Sequence, residues 1–138
     1  MTDLRVLLVD DDTAFLEMEQ GILEKHLPKG VELTAATGPR QAMEILDAWS
    51  IGGVTALVVT DYIMPDMNGM DLIRACHSLY PNSDFTYVCL TTVLHKTVHA
   101  KTKQAGAARI EVKPTDLEEL RKLLTFLTTG WKDAKSQK

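Results

Sequence analysis

The chain has 138 residues, 45% hydrophobic and 25% charged, which suits about one domain with a filled core. A formal net charge of -4 and a pI near 5.5 argue against general nucleic-acid binding through phosphate contacts. No segment is long and apolar enough to span a bilayer and MTDLRV does not read as a signal peptide, so the cytoplasm is the expected compartment.

The first strand is predicted over Arg5–Val9 (RVLLV), which runs straight into three adjacent aspartates, Asp10, Asp11 and Asp12. A helix follows from about Thr13 to His26, with Phe15, Met18, Ile22 and Leu23 on one face. Val31–Ala35 reads as the second strand, and Pro39 opens a helix that buries Ala42, Met43, Ile45, Leu46 and Trp49. The third strand, Thr55–Thr60, ends in Asp61 and leads to a helix over Met67–Leu79 with Met70, Ile73 and Cys76 inward. Phe85–Thr91 is the fourth strand. Its helix, His95–Ala105, is mostly polar and has only Val98, Ala100 and Ala105 to pack. After a fifth strand, Ala108–Val112, the last helix begins at KPTDLEEL, where Thr115-x-x-Glu118 fits a capping box, and carries Leu117, Leu120, Leu124 and Leu127. Cys76 and Cys89 have neither metal-ligand spacing nor the pattern of a disulfide framework, so buried thiols are expected. Residues 1–129 are read as one domain and 130–138 (GWKDAKSQK) as a short polar tail that frays.

This alternation is (βα)5, an α/β class with one doubly wound parallel sheet and helices on both faces. Sites in such sheets form at the carboxyl ends of the strands. There the sequence places Asp10, Asp11 and Asp12 after strand one, Asp61 after strand three, Thr91 and Thr92 after strand four, and Lys113-Pro114 after strand five. Strand two offers nothing ionised. Clustered carboxylates suit Mg²⁺, which takes oxygen ligands. A phosphate beside it needs a cation and a hydroxyl donor, the residue types of Lys113 and Thr91. The set suits phosphoryl transfer onto a carboxylate, with Asp61 as nucleophile and Asp10 and Asp11 as metal holders. Singly, each residue has an ordinary structural role, and Asp12 is expected to be a helix cap. Their coincidence on four strand ends carries the functional reading.

Over about Leu4 to Leu127 these residues resemble the receiver domain of two-component response regulators. The motif VVTDYIMPDMNGMDLI has Pro65 four residues and Gly69 eight residues after Asp61. Thr91 follows Asp61 by 30 residues (91 − 61), and Lys113 follows Thr91 by 22 (113 − 91). The resemblance implies a flavodoxin-like strand order 2-1-3-4-5 and a phosphoacceptor switch rather than a turnover enzyme. Asp61 would take a phosphoryl group from a histidine kinase or a His-containing phosphotransfer protein. Asp11, Asp61 and the backbone carbonyl of Ile63 would ligate Mg²⁺, and Asp10 would act mainly through a water. Lys113 would contact a phosphoryl oxygen. Thr91 would move toward the phosphate and report it to the surface of helix four, strand five and helix five. The phospho-form would act on a separate protein partner or another copy of the domain, as in a chemotaxis regulator or a phosphorelay shuttle.

Three positions depart from the family pattern. Ile110 replaces the usual aromatic three residues before the lysine, so the signal is expected to travel through the loop after strand four and helix four. Thr92 is bulkier than the usual Ala, Ser or Gly and should crowd access to Asp61. Ile63 and Val93 cannot orient an attacking water, so slow self-dephosphorylation is expected. His95, Lys96, His99, Lys101 and Lys103 give helix four a basic face, read either as solvated or as a docking surface for an acidic partner. Two rivals stand beside this reading. A haloacid-dehalogenase-like phosphatase would use Asp10 and Asp12, but Ala14 stands where Thr or Val belongs. A receiver-like binding platform without phosphorylation would be expected to lose one of the acidic, Thr or Lys residues, and none is lost.

Overall fold

The computed structural model describes residues 4–92 and 95–136. Five strands, β1 (Leu4–Val9), β2 (Glu32–Ala36), β3 (Thr55–Asp61), β4 (Asp84–Thr91) and β5 (Arg109–Val112), form one parallel sheet in the order β2-β1-β3-β4-β5. Five helices connect and follow them: α1 (Thr13–His26), α2 (Pro39–Ile51), α3 (Gly69–Leu79), α4 (Lys96–Ala105) and α5 (Leu117–Ser136). The expected class and strand order are both observed.

The period-two alternation of the central strands divides the core into two halves. Leu7, Val9, Ala56, Val58, Tyr87 and Cys89 face a cluster closed by Ala42, Leu46 and Trp49 of α2 and Leu72, Ile73 and Cys76 of α3. Val6, Leu8, Leu57, Val59, Val88 and Leu90 face the other half, closed by Phe15, Leu16 and Leu23 of α1 and Leu120, Leu124 and Leu127 of α5. Covered on both sides, β3 is buried along its whole length. β5 is a short edge strand with no fully buried residue. Cys76 and Cys89 are free and buried, and burial pushes their thiols up to about 11 and about 12.

Several expectations need correction. The face of α1 is turned so that Met18 is 45% exposed, while Leu16 and Glu19 are buried. α3 begins at Gly69, because the side chain of Asn68 accepts from the Asp71 N–H. α4 begins at Lys96, after His95 acting as its cap. In α4 the buried place belongs to Thr102, whose hydroxyl donates to the Val98 carbonyl at 2.7 Å, and Ala100 is exposed. The α5 cap is Asp116, which accepts from the Glu119 N–H at 2.8 Å, in place of the expected Thr115–Glu118 box. Glu118 instead pairs with Arg121, and Leu117 is 60% exposed. α5 also continues to Ser136, through most of the segment expected to fray.

Candidate functional site

At the carboxyl end of β1 the three aspartates take different roles. Asp10 is 2% exposed; its N–H donates to the Ala36 carbonyl on β2, and its Oδ1 accepts from the Asp12 N–H at 2.9 Å. Asp12 accepts from the Phe15 N–H at 3.1 Å and caps α1, as expected. Asp11, between them, is exposed at the rim.

Asp61 closes β3, beside β1 in the sheet. Its Oδ1 accepts from the Tyr62 N–H at 3.0 Å, and the Tyr62 N–H also donates to Leu90 O at 2.8 Å. The turn after Asp61 is drawn tight by Gly69, whose N–H donates to the Tyr62 carbonyl at 2.8 Å. A Cβ on Gly69 would collide with the Asp61 carbonyl oxygen, which is why this position takes glycine. Pro65 lies on the exposed side of the same loop, next to the buried Met64.

Carboxylate oxygens of Asp10, Asp11 and Asp61 lie within 4.8 Å of one another. Lys113 reaches this cluster from the end of β5: its Nζ lies 2.8 Å from Asp10 Oδ2 and 3.4 Å from Asp61 Oδ2. The lysine is anchored by its own N–H, which donates to the Thr91 carbonyl at 2.8 Å, and Nζ sits 4.2 Å from the centre of the Phe15 ring. Thr91 is buried at the end of β4, and Thr92, next to it, is exposed. Thus the strand ends bring together Asp10, Asp11, Asp61 and Lys113, with Thr91 bonded to the backbone of Lys113. Pro114 follows, half-buried.

The modulating positions divide. Ile63 has a 57% exposed side chain. Ile110 pairs with Cys89 across β4 and β5 and packs, half-buried, on the α2–α3 half of the core. Val93 lies outside the described residues.

The electrostatics follow from like charges held close in a shielded place. Burial, then the charge of Asp10, push the Asp61 carboxyl up to about 6, against the pull of Lys113 and the Tyr62 N–H. Burial opposes the charge on Lys113, but the hydrogen bond and charge of Asp10, followed by Asp61, hold it above the usual lysine range. Such a cluster, with oxygen donors only and an exposed member at its mouth, fits a hard divalent cation such as Mg²⁺.

One residue of this environment escaped sequence reasoning. Glu19 on α1 is 2% exposed, and burial together with Asp10 pushes its carboxyl up to about 8. The available signal was its spacing, four residues after Phe15 and four before Leu23, on the apolar stripe.

Residues 6–125 match the response regulator receiver domain family. The chain is 30% identical over 122 residues to the two-component response regulator ORR1 of rice (Oryza sativa subsp. japonica), a match covering 86% of this chain and 53% of that protein. It is 26% identical over 118 residues to the cyclic di-GMP phosphodiesterase response regulator RpfG of Xanthomonas campestris, covering 86% of this chain and 30% of that one. The chain therefore spans about half or less of the length of these relatives. Among solved structures, the phosphorylated cyanobacterial phytochrome response regulator RcpA superposes with a TM-score of 0.79 at 16% identity, covering 93% of each chain, and shows the shared fold. The chemotaxis response regulator CheY4 of Vibrio cholerae gives a TM-score of 0.69 at 27% identity, covering 89% of this chain and 97% of that one. None of these matches supports the phosphatase alternative. The chain belongs to the response regulator receiver domain family of two-component systems.

Proposed function

We propose that this receiver is a Mg²⁺-dependent phosphoacceptor switch, with Asp61 as the residue modified. The observation that carries the reading is the convergence of Asp10, Asp11 and Asp61 within 4.8 Å, with Lys113 spanning two of them. Receiver domains work with histidine kinases and downstream effectors, so the donor is a phosphohistidine on a kinase or phosphotransfer protein, met in the cytoplasm. An Asp61 oxygen attacks phosphorus, the P–N bond breaks, and its electron pair stays on the donor imidazole. Asp10, Asp11, Asp61 and the Ile63 carbonyl would hold Mg²⁺, Asp10 mainly through a water. When bound, the ion supplies charge stabilisation to the phosphoryl oxygens. Lys113, already beside Asp61, offers a second cation to those oxygens, and Thr91 offers its hydroxyl.

The output reads as a binding surface on α4, β5 and α5. Val112 is 54% exposed and Phe126 50%, with the Arg109 guanidinium 4.8 Å from the Phe126 ring centre. Lys96, Lys101 and Lys103 add positive charge on α4. An acidic protein partner or a second copy of the domain suits this surface. With Ile110 in place of an aromatic, the signal would pass through the loop after β4 and through α4.

The test is incubation with Mg²⁺ and phosphorylated kinase or acetyl phosphate, followed by intact mass. Wild type gains one phosphoryl group, Asp61→Asn gains none, and chelation of Mg²⁺ abolishes the gain. Repeated hydrolysis of phosphoesters would instead indicate a phosphatase, and a chain that is never modified would indicate a binding platform. Ile63 and Val93 offer no group suited to orienting water and Thr92 crowds access to Asp61, so the isolated phospho-form should persist well beyond seconds. Decay within seconds would refute that shielding.

A further inference from the structure

Phe15 stands in the first turn of α1, tied to the candidate site through the cap of that helix. Asp12 Oδ1 accepts from the Phe15 N–H at 3.1 Å, and the Asp12 N–H in turn donates to Asp10 Oδ1 at 2.9 Å. The Phe15 ring belongs to the α1–α5 half of the core, yet it has a charged neighbour. Lys113 Nζ lies over the ring, 4.2 Å from its centre, and the same Nζ donates to Asp10 Oδ2 at 2.8 Å. Asp10, Asp12, Phe15 and Lys113 thus close a circuit of four contacts, with Asp61 Oδ2 3.4 Å from the ammonium.

Packing alone does not call for an aromatic here, since the other apolar side chains that α1 buries are the leucines Leu16 and Leu23. What a ring adds is a negatively polarised face, which attracts a nearby ammonium. The Lys113 side chain is 14% exposed and Phe15 7%, so the attraction is of the stronger, desolvated kind. A carboxylate in this place would take up one of the ammonium's N–H donors. A ring face holds the cation and leaves those donors for Asp10, for Asp61 and for an oxygen carried on Asp61. It also restricts a long, flexible side chain in advance, so less rotamer freedom is lost when a phosphoryl group arrives.

We propose that Phe15 is a positioning residue of this site: its ring face, held by the Asp12 cap, seats the Lys113 ammonium where it reaches Asp61 and a phosphoryl group carried there. Phe15 acts only through Lys113. The inference rests on the reading of Asp61 as the phosphoacceptor.

The experiment replaces Phe15 in the full chain, by site-directed incorporation, with mono-, di- and trifluorinated phenylalanines. These keep the shape of the ring and progressively weaken its face. Two quantities are read: the unfolding equilibrium constant in urea with chelator, and the initial rate of phosphoryl uptake from acetyl phosphate with Mg²⁺. Along the series the unfolding constant rises and the uptake rate falls, each stepwise and by about three- to tenfold in all. Phe15→Leu slows uptake at least as far as the trifluorinated ring. In a Lys113→Met background the series changes the unfolding constant by less than about 1.5-fold, because no cation remains to feel the ring. An uptake rate that stays level along the series in an otherwise active protein overturns the proposal and leaves the phosphoacceptor reading standing. An equal trend in unfolding with and without Lys113 also overturns it, because that marks ring packing alone. If Lys113→Met fails to fold, the uptake series decides by itself. A wild type that takes up no phosphoryl group, or an Asp61→Asn variant that takes up as much as wild type, defeats the phosphoacceptor reading and the positioning role with it.

Discussion

At the scale of single residues, position in the fold separates side chains that look equivalent in the sequence. Asp10, Asp11 and Asp12 are consecutive, yet one is buried beside Lys113, one stands at the rim and one caps α1. Glu19 is the strongest case. In the cation-free protein the native state keeps its proton up to about pH 8, whereas the unfolded chain releases it near its ordinary value of 4.5. Between those values the native state binds more protons, so stability falls as pH rises. Asp61 adds the same sign between 3.8 and about 6. Glu19→Leu should remove the first slope and raise stability at pH 8 by a few kcal/mol, on the order of 3. Urea denaturation at pH 5 and pH 8 in chelator measures this; equal m-corrected differences at both pH values would contradict it. Gly69 carries the opposite lesson, that a missing side chain can be required. Gly69→Ala should cost roughly 1–3 kcal/mol and displace the Asp61 carbonyl, seen as a lower urea midpoint together with slower phosphoryl uptake.

At the scale of elements, helix ends and loop contacts decide what the strand pattern leaves open. The end of α4 is fixed by a residue of α3. His77 Nε2 lies 3.0 Å from the Gly106 carbonyl oxygen, and its ring centre is 4.9 Å from that of Tyr87 on β4. Gly106 has a φ of 122°, and a Cβ there would collide with the His77 ring. Gly106→Ala therefore meets both backbone strain and a clash, and should destabilise by about 1–3 kcal/mol. His77→Ala removes the clash and leaves the strain. The double variant Gly106→Ala/His77→Ala should accordingly be more stable than the sum of the single changes predicts, and denaturation of the four proteins tests this. Thr115 and Asp116 are both good caps three residues before a glutamate, local sequence does not say which carbonyl begins α5, and the structure uses Asp116. Likewise Leu117 and Met18 look like core residues by spacing, but both are exposed while Leu16 and Leu120 of the same helices are buried.

For the whole molecule, a sheet ordered β2-β1-β3-β4-β5 sets β1 and β3 side by side, so that Asp10, Asp11 and Asp61 meet although 50 residues separate Asp11 from Asp61 (61 − 11). A ligand that binds only this native arrangement stabilises it by mass action. At 100 times its dissociation constant, Mg²⁺ should add about 2.7 kcal/mol, read as a rise in Tm that Asp61→Asn diminishes. No helix among the described residues is long and apolar enough to cross a membrane. The sequence by itself determined the element order, the doubly wound sheet and the acidic, hydroxyl and lysine strand ends, because alternating period-two and helical patterns are local and strand ends in such a sheet share one rim. Only the tertiary structure decided that Lys113 lies on both Asp10 and Asp61, that Asp61 is pushed up to about 6, and that Glu19 is buried within their field. Those facts depend on distance and desolvation between residues far apart in the chain, and no local pattern encodes them.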